Sequence, residues 1–323
     1  MTAKLWKAAR CIASASAFLV LVVIVFGSHA GSQASTAPDR QNTQPYRVSV
    51  DLNLVVLNAT VRDRQGRFVS GLHEQDFGVY EDGVRQSLRL FEHEDVPVTV
   101  GLIVDHSGSM QPKLGEVTGA ARSFVQFSNP QDEMFVVNFN ETVALGLPGA
   151  IRFTNNPVEL EGAIWRTAAM GETALYDAVV SGLQQLQEGS RDKKVLVVIS
   201  DGGDNASTHS LAQVTSRAAE SSAMIYTIGL FEAGDPDRNP AVLHRLAQAT
   251  GGEAFFPGEI GEVTAICEGI ARDIRNQYTL GYVSTNTAQT PASRSIRVVA
   301  RAAGRGKLSV RTRTGYRAGG GPR

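Results

Sequence analysis

Apolar and polar residues alternate from residue 48 onward. Val48, Val50, Leu52 and Leu54 share one face, then Leu57, Ala59 and Val61 continue the alternation after a one-step slip. A period of two predicts a strand, and the slip predicts a β-bulge within it. "RDRQGRF" and "YEDGVRQ" supply turn residues around the short apolar runs "FGVY" and "LRLF", so residues 47–96 read as a small β module. Beyond Pro97 the pattern changes. "VTVGLIV" is apolar without a break, as in a strand covered on both faces. A helical stretch over 113–127 follows, then a strand "EMFVVNF" and an edge strand "TVALGL". "TALYDAVVSGLQQLQ" places Leu175, Val179, Leu183 and Leu186 at helical spacing. "KVLVVIS", "LAQVTSRAAESS", "AMIYTIGL" and "AVLHRLAQAT" continue as strand, helix, strand and helix, and "GGEAFF" with a helix over 259–277 closes the unit. This alternation predicts an α/β fold over residues 97–282, a doubly wound, mostly parallel sheet with helices on both faces. In residues 283–323, "SIRVVARA" and "KLSVRTRT" flank "AGRG" and predict a C-terminal β-hairpin followed by a tail. Its strands either complete the small module or pair with the main sheet.

The N-terminus adds a compartment. Lys4, Lys7 and Arg10 precede an apolar stretch over about residues 13–26, and small residues follow up to Gly31. Residues 1–30 therefore read as a secretory signal peptide, with an uncleaved anchor as the alternative; a spanning helix needs roughly 20 apolar residues. Residues 31–46, rich in Ser, Gln, Thr and Pro, read as a linker. The expected location is secreted or periplasmic, or anchored in the inner membrane if the segment stays; a membrane is a partner only in that case. With Lys+Arg at 31 and Asp+Glu at 32, a formal net charge of -1 provides no field for nucleic acid. Cys11 would leave with the signal peptide. Cys267 then stands alone, on the helix face Ile260, Val263, Cys267, Ile270, Ile274, as a buried core residue.

The candidate chemistry lies at strand ends. In a sheet of this winding the first and fourth strands are neighbours, and ligands bind outside their carboxyl ends. The first ends at Asp105 and the fourth at Asp201. "VDHSGSM" adds Ser107 and Ser109, and Thr173 of "MGET" opens the helix that leads into the fourth strand. Alone, D-x-S-x-S is a weak pattern that reads as a turn. With Thr173 and Asp201 on the same side of the sheet it becomes a set of two carboxylates and three hydroxyls. Five hard oxygen donors suit Mg²⁺, with Mn²⁺ as second choice, better than zinc. Two aspartates roughly neutralise the ion and leave a position for an incoming carboxylate.

These residues resemble the von Willebrand factor type A domain and its metal-ion-dependent adhesion site, a D-x-S-x-S motif with a Thr and an Asp on two later loops. "DHSGS", the Thr of "GETALYDAV" and the first Asp of "SDGGDN" match in kind and order, and "TGGEAFF" is similar to that family's closing strand. The flanking "DRQGRFVSGLHEQDFGVYEDGVRQSLRLFE", "QYTLGYVS" and "TRTGYRA" resemble secreted bacterial, acidobacterial-type members. The resemblance implies Mg²⁺ held by Asp105, Ser107, Ser109, Thr173 and Asp201, and a protein partner that presents an Asp or Glu carboxylate. The expected function is a secreted or envelope-exposed adhesion-type binding module, not an enzyme. The alternatives are a structural component of an envelope complex with the metal as a fold staple, or a metal-dependent hydrolase. A phosphatase of the haloacid dehalogenase type has a second Asp where Ser107 stands, and no G-x-S-x-G surrounds either serine.

Bland readings compete at single residues. Thr173 can serve as a helix N-cap. "DGGDN" lacks the ligands of a calcium loop, since its third and twelfth positions are Gly203 and Ala212. Asp204 is expected to be a solvated loop residue, and His106 to point to solvent or rim the site. Residues 232–240 read equally as a partner-contacting loop or an ordinary surface loop on the same rim. The C-terminal arginines read as a strand face with edge protection, not a nucleic-acid groove.

Overall fold

The computed structural model describes residues 54–231, 238–287 and 292–318. The signal-like segment, the linker, Val48, Val50 and Leu52, and most of the 232–240 loop lie outside the described residues. The chain divides into two compact units, Met1–Val50 and Asp51–Arg323, and every described element belongs to the second. Among the described residues no helix is long and apolar enough to cross a membrane.

Four strands open this unit, β1 (Leu54–Arg62), β2 (Phe77–Glu81), β3 (Val84–Gln86) and β4 (Leu88–Glu92). The α/β region follows with β5 (Val98–Asp105), α1 (Leu114–Gln126), β6 (Glu133–Phe139), β7 (Val143–Leu145), α2 (Pro157–Ile164), α3 (Leu175–Gln187) and β8 (Lys193–Ser200). It continues with α4 (Leu211–Glu220), β9 (Met224–Gly229), α5 (Pro240–Thr250), β10 (Ala254–Phe255) and α6 (Glu262–Arg275). The chain ends with β11 (Tyr278–Val283), β12 (Ala292–Ala300), β13 (Ser309–Arg311) and β14 (Gly315–Ala318).

The six-stranded sheet has the order β10-β9-β8-β5-β6-β7, parallel except for the β6–β7 edge pair. This is the doubly wound order, with β5 and β8 adjacent at the switch. Every residue of β5 is buried, as its unbroken apolar run requires. Gly101 lies at the centre because the neighbouring strands fill its space. A Cβ there would stand 2.4 Å from the Phe135 ring and 2.7 Å from Leu196. Helices α1, α2 and α6 pack together, as do α3, α4 and α5, one group for each face. Cys267 lies on the buried stripe of α6 with Val263, Ile270 and Ile274, and burial pushes its thiol up to about 12. Ile260 precedes the helix and is exposed.

The remaining strands form two four-stranded sheets, β13-β1-β11-β4 and β14-β12-β2-β3. They share a core that includes Leu57, Ala59, Val61, Phe77, Val79, Tyr278, Leu280, Tyr282, Ile296 and Val298. Three expectations change here. The boundary placed at 282 falls inside β11, which pairs with β1 and β4, so the α/β region ends with α6. The C-terminal hairpin is absent: β12 pairs with β2 and β14, whereas β13 pairs with β1 in the other sheet. The connection between them, too long for a tight hairpin turn, arches from one sheet to the other, and Gly304 and Gly306 take positive φ within it. The bulge expected in β1 is absent too. Its pairing with β11 is regular from Leu54 to Ala59, so Leu54 and Val56 face outward, and the register shift lies between β11 and β4.

The module docks on the α/β region through polar groups. Asp273 of α6 accepts from Thr60 (2.6 Å) and Tyr226 (2.9 Å) and pairs with Arg311 of β13. Gly251, the left-handed C-cap of α5, lies against the backbone of Thr312 and Arg313, where a Cβ would stand 2.3 Å from the Arg313 nitrogen. The "TGG" of the sequence thus serves a close approach as well as a helix stop.

Candidate metal centre

β5 delivers Asp105 to the carboxyl edge of the sheet with none of its surface exposed. One carboxylate oxygen accepts from the Ser107 amide (2.8 Å), and the other accepts from the Ser200 hydroxyl (2.6 Å). Ser200 also accepts from the Gly202 amide at 3.0 Å, which fixes its hydroxyl proton toward Asp105. After Ser107 the chain turns through a short 3₁₀ segment, Gly108–Lys113, anchored by the fully buried Met110. The turn brings the Ser109 hydroxyl to 3.2 Å from that of Ser107 and 2.5 Å from an Asp201 oxygen, to which it donates. The Gly203 amide donates to the other Asp201 oxygen at 3.2 Å.

Thr173 reaches the same edge by its backbone. Its amide donates to Asn205 (2.8 Å), and its carbonyl accepts from the amides of Asn205 and Ala206. Thr173 does not cap α3; the N-cap position is Ala174. The first amides of α3 are taken by side chains from the neighbouring loop instead: Asp204 accepts from Tyr176 (2.8 Å) and Ser207 accepts from Asp177 (3.1 Å). The Thr173 hydroxyl is thereby spared from capping. Asp204 is a half-buried cap, and burial raises its pKa.

His106 is wholly buried, contrary to the solvent-facing or rim position expected. Its ring nitrogens lie 3.0 Å from the Val104 carbonyl and 2.8 Å from the Ile164 carbonyl. Its own carbonyl accepts from the Met170 amide at 2.9 Å. One residue therefore fastens the C-terminal end of α2 and the loop before Thr173 to the Asp105 loop. Ser200, Asn205 and His106 were the contributors that sequence reasoning missed. Ser200 alone left a signal, as a polar residue closing an apolar strand next to Asp201.

The electrostatics favour a cation. Burial, and secondarily the charge of Asp201, push the Asp105 carboxyl up to about 6 against the lowering effect of the Ser200 hydrogen bond. Among the described residues neither aspartate forms an ion pair with Lys or Arg. Two carboxylates and neighbouring hydroxyls without a counter-charge fit a hard divalent ion. No group of three or more His, Cys, Asp or Glu capable of holding a metal occurs among the described residues, so a zinc-type donor set is not formed there.

A family model for the von Willebrand factor type A domain matches residues 100–266, a little over half of the chain. An uncharacterised protein, sll0103 of Synechocystis sp., is 27% identical over 168 residues, which is 50% of this chain and 38% of that protein. The chain thus matches well under half the length of that relative. Among solved structures, a von Willebrand factor type A protein from Catenulispora acidiphila aligns with a TM-score of 0.50 at 14% identity, over 75% of this chain and 73% of that one. Proximal thread matrix protein 1 from the mussel byssus, described with a zinc-occupied MIDAS motif, aligns with a TM-score of 0.49 at 15% identity, over 60% and 49%. By the family match over more than half of its length, this chain belongs to the von Willebrand factor type A domain family.

Proposed function

We propose that the chain is a metal-dependent protein-binding module of the adhesion type, in which Asp105, Ser107, Ser109, Thr173 and Asp201 hold Mg²⁺ or Mn²⁺. The bound ion supplies a positive charge and a coordination position for a carboxylate of a protein partner. The observation that carries this reading is the bridge from Ser109 to Asp201, which joins the first and fourth strand ends beside the buried Asp105. Domains of this family commonly mediate protein–protein interactions, in line with that role. The N-terminal segment supports a secreted or periplasmic location, with anchoring as the alternative.

Binding is favoured over hydrolysis. Both ring nitrogens of His106 face carbonyl oxygens, so this residue is not placed to exchange protons with a substrate. The fold-staple alternative is weakened because the loops are already joined by direct hydrogen bonds. A peptide-display selection on the full chain in Mg²⁺, eluted with EDTA, tests the proposal. Enrichment of Asp or Glu in the eluted pool, lost with Asp105→Ala, is expected. Binders that survive EDTA, or that lack a carboxylate, would overturn it.

A further inference from the structure

The loop between α2 and α3 carries two large apolar side chains that the protein itself does not use. Trp165 and Met170 each keep 57% of their surface exposed. Both stand where His106 fastens the loop: the Ile164 carbonyl meets its ring, and the Met170 amide donates to its carbonyl. One step further, the Gly108 amide donates to the Gly171 carbonyl at 3.4 Å, and Thr173 follows two residues later. The loop that carries both is therefore held, by hydrogen bonds at both stems, to the chain segment of Asp105, Ser107 and Ser109, with Thr173 next along the loop. An exposed tryptophan on a short pinned loop offers large contact area at little entropic cost on binding.

Arg166 is exposed beside Trp165, but the Met170 end of the loop carries two carboxylates. Glu141 lies directly against Gly171, whose φ is +79°, and its carboxylate accepts from the Glu172 amide at 3.2 Å. Glu172 is itself exposed. A second carboxylate arriving beside the first would meet these two glutamates and be repelled.

Building on the metal-dependent reading above, we infer that the partner presents a solitary Asp or Glu next to a large apolar side chain, which packs on Trp165 and Met170. A run of acids is disfavoured. The apolar contact supplies affinity, and Glu141 and Glu172 supply the discrimination.

Three capped pentapeptides centred on one glutamate test this, with leucine and phenylalanine, glycine, or glutamate as flanking residues. NMR titration of the full chain in Mg²⁺ and in EDTA reads even millimolar affinities. The apolar-flanked peptide is expected to bind on the order of tenfold tighter than the glycine-flanked one. The double substitution Trp165→Ala/Met170→Ala should erase that difference and leave the thermal unfolding midpoint and glycine-peptide binding unchanged. Glu141→Gln/Glu172→Gln should narrow the penalty on the glutamate-flanked peptide. Equal binding of the apolar and glycine peptides in Mg²⁺ would overturn the inference and leave the metal reading standing. Binding indifferent to EDTA but lost with Trp165→Ala would uphold the apolar contact and overturn the metal reading. No binding of any peptide would overturn both.

Discussion

Two buried aspartates in this chain face opposite situations. Asp273, 1% exposed at the junction of α6 with the β module, receives Thr60 and Tyr226 hydroxyls and the Arg311 guanidinium, with Arg62 at 3.9 Å. Asp105, also without exposure, receives the Ser107 amide and the Ser200 hydroxyl and, among the described residues, no Lys or Arg ion pair, and it faces a second carboxylate. The first charge is answered from within the chain and joins two regions of one folded unit. The second is answered, among the described residues, by dipoles, which lowers the cost of burial without cancelling it. A buried charge left in that state marks a place where the missing charge arrives from outside.

Breaking the answered pair has the largest effect. Arg311→Ala leaves buried Asp273 with two hydroxyls and the more distant Arg62 and should cost about 3 kcal/mol of stability in urea denaturation. A loss under 1 kcal/mol would show the junction to be loosely held. At the other aspartate the sign reverses. A carboxyl raised to about 6 is still ionised at pH 7 but costs more to bury than in the unfolded chain, so Asp105→Asn should stabilise the metal-free chain by about 1–3 kcal/mol. The same linkage gives a pH profile. Between about pH 4 and 6 the folded state holds the Asp105 proton more tightly than the unfolded state, so metal-free stability falls as pH rises through that window. Mg²⁺ at a hundredfold excess over its dissociation constant should add about 2.7 kcal/mol to the wild type and nothing to Asp105→Asn. Thermal melts across that window, with Mg²⁺ and with EDTA, check both.

Asp177 sharpens the contrast from a third side. Burial would raise its carboxyl, but hydrogen bonds from the backbones and side chains of Thr208 and His209 outweigh it and hold it at about 2. Its contribution, reduced by solvent screening to about 1 kcal/mol, is present above pH 4 and lost as pH falls toward 2. Asp177→Asn should therefore flatten the acid limb of the stability profile. The smallest effect belongs to Ser200→Ala. Losing one donor to Asp105 should weaken Mg²⁺ binding by about 1 kcal/mol, roughly fivefold, in calorimetry.

The sheet was legible because its signals are local. Unbroken apolar runs mark β5 and β8, and each is followed by an aspartate at the carboxyl edge. The capping of α3 was not legible, since Asp204 and Ser207 come from a loop that approaches only in the fold. His106 looked solvent-facing because its partners, the carbonyls of Val104 and Ile164, are converged by tertiary structure. "QYTLGYV" reads equally as a closing strand of either region, and only its pairing with β1 and β4 decides. The arch between β12 and β13 was mistaken for a hairpin because alternation identifies a strand's buried face without identifying the sheet that supplies its partner.

The central claim is that Asp105 and its neighbours form a cation site. Calorimetric titration of the full chain with Mg²⁺ and Mn²⁺ up to millimolar concentration, beside Asp105→Ala, tests it most directly. Saturable binding of one ion in the wild type, abolished by the substitution, is the predicted result. Binding of equal strength in both chains, or in neither, would contradict it.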